Sequence, residues 1–268
     1  MTGREAEPCY FGSGGELFGV YHPPQTTADR DVGVVLCEPI VREYLKTHRA
    51  LRQLALRVAR VGFHALRFDY RGCGDSAGEP VGYGLQEWAE DAAAAADELK
   101  DRSGVGKIAF VGLRLGATLA MLAAGRRRDV EGLVLWEPIL DGPAYLAEMT
   151  ERDRAWWRDL EVPVEPPDAE GTVGILGFPV GTRLRDTLRS LDLVPPRRPA
   201  RRALLLRGDE GEYDAEFMEQ LRSLGVAAEQ VPTPVARIWV DDTEMLNQAL
   251  IPAATFHSAV TWLEAHLT

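Results

Sequence analysis

Polar and apolar residues alternate from Cys9 to His22 around Gly12-Ser13-Gly14-Gly15, which predicts a β-hairpin with a glycine turn, closed by Pro23-Pro24. Residues 31–36 (DVGVVL) form an apolar run of the kind buried on both faces of a parallel sheet. Leu51, Leu54, Ala55 and Val58 fall at helical spacing and predict a helix over 47–60, stopped by Gly62. The same signals predict strands over 63–68, 107–111, 132–136, 203–206 and 236–240, and helices over 85–100, 117–124 and 253–267.

Strands alternating with helices imply an α/β chain, a mostly parallel twisted sheet with an antiparallel start and helices on both faces. Ligands of such sheets bind beyond the carboxyl ends of the strands. The stretch between Trp136 and Ala203 is too long for a crossover and carries Trp156, Trp157 and several prolines. It reads as a helical lid insertion over 141–199, dividing the core into 1–140 and 200–268.

A net charge of -11 argues against nucleic acid and anionic membrane surfaces as partners. The basic stretch 197–202 runs against that mean and reads as a solvated loop. Cys9, Cys37 and Cys73 are too few and too scattered for a disulfide framework or a zinc site, which suits a reducing cytoplasm. Neither a leader pattern nor an apolar run of spanning length is present, so no membrane insertion is expected. No dinucleotide or phosphate loop appears, and no cofactor or metal is expected.

Chemistry concentrates at Phe110-Val111-Gly112-Leu113-Arg114-Leu115-Gly116-Ala117, a β-rich run passing through a tight turn into a helix. In G-x-S-x-G elbows the glycines flank a sharp turn that lifts the middle side chain above the sheet edge. Here that side chain is Arg114.

The residues from Asp69 to Ser76 (DYRGCGDS), then Trp88 with Asp91, then Gly112 to Gly116, resemble the α/β-hydrolase superfamily, in its serine aminopeptidase and esterase-like branch. More narrowly, Arg42-Glu43-Tyr44 with G-L-R-L-G-A and L-W-E-P is similar to hydrolases that accompany exosortase systems, where arginine also stands at the elbow. The resemblance implies an α/β-hydrolase fold and a hydrolase-like chemistry.

A triad needs a hydroxyl or thiol at the elbow, a base within reach and an acid orienting the base. Arginine stays protonated and cannot serve as the nucleophile. The loop after the last expected strand, residues 242–247, has no histidine, while His257 and His266 fall inside the final helix. Asp209 and Asp214 are candidates for the acid.

If the expected topology holds, the carboxyl edge gathers Cys37, Glu38, Glu43, Asp69, Arg71, Arg114, Glu137, Asp209 and Asp242. Three readings follow. Arg114 bridges Glu38 or Glu137 in an ion-pair network; or it anchors a substrate carboxylate or phosphate while Glu38 or Glu137 acts as base; or Cys37 is a displaced nucleophile. Arg114, Glu38, Glu137, Asp242 and Cys37 are the catalytic candidates, with Glu43, Trp136, Leu113 and Leu115 as substrate contacts. Ser76 reads as a structural loop serine, and Thr118 as packing or bonding back to its own helix. The expected function is an enzyme on a small acyl, ester or thioester compound, or one bearing a carboxylate, that works without a Ser-His-Asp triad. The alternatives are a silent member that binds a ligand or partner, and a non-hydrolytic cyclase or lyase. Tryptophans in the lid suit a homodimer as well as a pocket.

Overall fold

The computed structural model describes residues 5–27, 30–159, 171–191, 197–208, 213–233, 237–240 and 251–267. The strands are β1 (Glu7–Phe11), β2 (Leu17–His22), β3 (Val32–Cys37), β4 (His64–Phe68), β5 (Lys107–Leu113), β6 (Val130–Trp136), β7 (Val173–Ile175), β8 (Phe178–Val180), β9 (Arg202–Arg207) and β10 (Ala227–Pro232). The helices are α1 (Val41–Arg60), α2 (Leu85–Ser103), α3 (Leu115–Ala124), α4 (Gly142–Asp159), α5 (Thr182–Arg189), α6 (Asp214–Ser223) and α7 (Ala253–His266).

Eight strands form one sheet in the order β1-β2-β4-β3-β5-β6-β9-β10. The pairs β1–β2 and β2–β4 are antiparallel and the rest are parallel, the antiparallel start that the sequence predicts. Period-two alternation along β3 splits the interior in two. Val32, Val34 and Leu36 pack with Leu51, Leu54, Ala55 and Val58 of α1 and with α7, while Val35 and Cys37 pack with the alanines of α2 and with α3.

Two elements differ from expectation. Helix α1 begins at Val41 rather than 47, because its polar first turn is held by tertiary partners instead of by apolar spacing. The strand expected over 236–240 is, in its described part, a turn: Val240 N–H donates to Arg237 O, and Ile238 and Trp239 pack into the α1–α7 core. The place beside β9 belongs to β10, an edge strand whose exposed polar residues give little periodic signal.

Between β6 and β9 the described residues hold α4, the β7–β8 hairpin and α5. Asp153 of α4, buried, accepts Leu176 N–H at 2.6 Å, fixing the hairpin to the helix, and accepts Trp157 Nε1 of its own helix at 2.8 Å. Gly181 lies so close to the turn at residues 80–82 that a Cβ there would meet Val81 O at 2.2 Å. Among the described residues no helix is long and apolar enough to cross a membrane.

Candidate functional site

The turn from β5 into α3 is built by its glycines. A Cβ on Gly112 would stand 2.4 Å from Ala117 Cα, and one on Gly116 would stand 2.2 Å from Cys37 O. Between them Arg114 takes φ 54° and ψ -127°, the left-handed region that L side chains avoid. Val41 (φ 48°) and Glu137 (φ 47°) share that strain. All three follow the carboxyl ends of strands, β3, β5 and β6, while a fourth, Leu176 (φ 53°), turns the β7–β8 hairpin.

Arg114 is 8% exposed. Its Nε donates to Glu43 Oε1 at 3.2 Å, and its Nη2 donates to both oxygens of Glu148, at 2.8 and 2.7 Å. The guanidinium carbon lies 5.3 Å from the Tyr145 ring and 5.1 Å from the Trp239 ring. Arg152 donates to the same Glu43 oxygen at 3.3 Å and to Trp239 O at 3.0 Å, and Tyr145 Oη donates to Glu43 Oε2 at 3.1 Å. Burial works against the Arg114 charge, but the carboxylates of Glu43 and Glu148 outweigh it and raise the arginine further. Burial also pushes Glu43 upward, opposed by Arg114 and Arg152.

This network is not the expected one. Glu38 and Glu137 each face an arginine of a neighbouring strand, Arg67 at 3.6 Å and Arg207 at 3.7 Å, and Glu137 also accepts Gly208 N–H at 2.7 Å. Arg114 instead meets α1 and α4. Glu43, expected as a substrate contact, is a fully buried ion-pair partner. Glu148, Arg152 and Tyr145 escaped the sequence reading, although they share one face of α4 at spacings of three and four, a legible signal.

The other candidates fall as follows. Cys37 is buried, which pushes its thiol up to about 12 and removes it as a nucleophile. Leu113 and Leu115 have no exposure, and Trp136 packs edge-on against Phe256 at 6.1 Å; all three belong to the core. Thr118 Oγ1 donates to Ile139 O rather than to its own helix, tying α3 to the segment after β6. Ser76 holds its loop as expected, donating to Asp69 O and accepting Phe18 N–H. Asp91 pairs with Arg71, and Asp214 with Arg207 at 2.9 Å. No histidine is among Arg114's partners; His266 faces Glu229 instead. Asp209, Asp242 and the 242–247 loop lie outside the described residues. Among the described residues no cluster of three or more His, Cys, Asp or Glu could hold a metal.

Among the described residues, one cavity adjoins Glu38 at the end of β3 and another adjoins Arg114 at the elbow. The first, about 200 Å³, is apolar, with Ile40, Phe68, Trp88, Phe178, Val180 and Leu184 among its lining. Its polar groups include Glu38, Tyr44 and Asp69. Glu38 is 2% exposed, and its Oε2 accepts no hydrogen bond among the described residues. Burial pushes this carboxyl up to about 8. Asp69 accepts Tyr44 Oη at 3.0 Å and Asp75 N–H at 2.9 Å. The second cavity, about 240 Å³, has Arg114, Tyr145, Glu148, Arg207, Tyr213 and Asp214 among its lining. Glu38 and Arg114 line different cavities.

Residues 40–165 match the family profile described as serine aminopeptidase, S33. An uncharacterized protein of Mycobacterium tuberculosis is 34% identical over 127 residues, covering 46% of this chain and 42% of the relative; the match spans less than half of that protein. Among solved structures, the Est1E protein of Butyrivibrio proteoclasticus, described with ferulic acid bound, is 15% identical with TM-score 0.66, covering 96% of this chain and 98% of the other. An esterase of Pyrococcus furiosus, Pf2001, is 14% identical with TM-score 0.64, covering 98% and 92%. At these identities the likeness is one of fold.

Proposed function

We propose, from the premise that this chain has the α/β-hydrolase fold, that it is an enzyme acting on a small acyl, ester or thioester compound without a Ser-His-Asp triad, with Glu38 as its acid–base group. The supporting observation is a buried carboxyl with one unpartnered oxygen in an apolar cavity. A carboxyl raised to about 8 can hold or release a proton near neutral pH, as general acid–base work requires. In the ionised form, steadied by Arg67, it takes a proton from a water whose oxygen bonds to the acyl carbon. It then returns that proton to the leaving oxygen or sulfur as the acyl bond breaks, giving a carboxylic acid and an alcohol or thiol. The described part of the expected lid supplies Phe178, Val180 and Leu184 to the lining of this cavity, as a lid over the site would. Three unpaired cysteines suit a reducing cytoplasm.

A panel of aryl esters and acyl thioesters tests this directly. Glu38→Gln is expected to lower kcat by about 10²-fold or more. Turnover equal to wild type in that variant overturns the role.

A silent ligand-binding reading draws support from Glu43, whose two oxygens are both bonded within the network. Under it no panel member turns over, and ligands raise Tm only.

A further inference from the structure

We infer that the cavity beside Arg114 is a second site, built for a small monocarboxylate, in which Glu148 is a resident and displaceable occupant. Arg114 uses Nε for Glu43 and Nη2 for Glu148, and its Nη1 donates to no group among the described residues. A buried guanidinium with an unused donor lines a cavity of about 240 Å³. Planar carboxylates bind arginine best across both terminal nitrogens in two parallel bonds. Glu148 takes both its bonds from Nη2 alone, so it does not use that fork.

The two anions on Arg114 differ in permanence. Glu43 is fully buried and held from three sides, by Arg114, Arg152 and Tyr145. The Glu148 side chain is 39% exposed on α4 and can turn to water. Its withdrawal leaves an ion-pair vacancy of one negative charge. The other acidic groups of the lining are occupied: Asp214 pairs with Arg207 at 2.9 Å, and Asp141 accepts Ala144 N–H at 2.8 Å. Their charges disfavour a dianion such as phosphate, whereas a monoanion replaces Glu148 charge for charge. Ile139, Leu140 and Ala144 offer apolar surface to a short alkyl chain. The site does not depend on Glu38, which lines the other cavity.

Butyrate titrated by ligand-observed NMR, with sodium chloride holding ionic strength constant, tests the site in wild type, Glu148→Gln and Arg114→Gln. Removing the internal competitor is expected to tighten butyrate by about tenfold. Loss of the Arg114 guanidinium is expected to abolish binding. Affinity in Glu148→Gln equal to or weaker than wild type overturns the inference, and this exposed substitution leaves the buried Glu43 pair in place. Butyrate retained by Arg114→Gln, or displaced equally well by chloride, also overturns it.

Discussion

Glu43 and Arg114 meet from the first turn of α1 and the start of α3, Oε1 to Nε at 3.2 Å, with the carboxylate wholly shielded from solvent. Breaking such a pair from one side leaves an uncompensated buried charge, a loss of about 3–5 kcal/mol. Glu43→Ala leaves two guanidiniums, Arg114 and Arg152, with Glu148 as their shared carboxylate, and is expected to destabilise the chain by up to that amount in urea denaturation. Arg114→Ala should lose less, because Arg152 still faces Glu43. The double substitution should fall well short of the sum, with a coupling of about 1–3 kcal/mol; strict additivity would show that the pair does not interact.

Glu38 also makes stability depend on pH. From the ordinary glutamate value near 4.3 up to about 8, the folded chain holds a proton that the unfolded chain has released. Its contribution therefore falls as pH rises through this window, by at most about 1.4 kcal/mol per pH unit. Glu38→Gln does not titrate, so its Tm is expected to gain steadily on wild type from about pH 5 to about pH 8 and to hold its lead above that. A difference independent of pH would place the carboxyl in its ordinary range.

The elbow tolerates no side chain at its second glycine. A Cβ on Gly116 would lie 2.2 Å from Cys37 O and 2.4 Å from Glu38 O, both backbone atoms. Gly116→Ala is expected to lose about 3 kcal/mol or more by chemical denaturation. Gly82→Ala, where nothing lies within 4 Å, is the matched control and should stay within about 0.5 kcal/mol.

Asp153 clamps the β7–β8 hairpin onto α4 through Leu176 N–H, while Trp157 Nε1 of the same helix donates to the same oxygen. Asp153→Ala strands a buried donor, a loss of about 1–3 kcal/mol. Its effect should be local: limited proteolysis is expected to cut residues 171–181 faster, with global unfolding less affected. Unchanged cleavage would mean that packing alone holds the hairpin.

Much of the fold is legible because β3, β5, β6 and β9 are apolar runs buried on both faces, and α1 and α2 keep helical spacing where they meet them. The edge strand β10 is not, since Ala227, Glu229 and Gln230 face solvent and obey no core period. At the site, the elbow itself is plain from Gly112 and Gly116, but the partners of Arg114 are not. Glu38 and Glu137 end strands adjacent to β5 and so look nearer in sequence logic, yet each turns to an arginine beside it. The true partners come from α1 and α4, and only tertiary packing brings them together.

Neighbouring residues on the first turn of α1 serve opposite sides. Glu43 holds the Arg114 network, while Tyr44 donates to Asp69 and lines the apolar cavity with Glu38. That turn thus ties the ion pairs around Arg114 to the wall of the apolar cavity, through a carboxylate at one position and a phenol at the next. Any shift of α1 therefore moves both at once, so a change made to strengthen the buried charges also reshapes the apolar cavity.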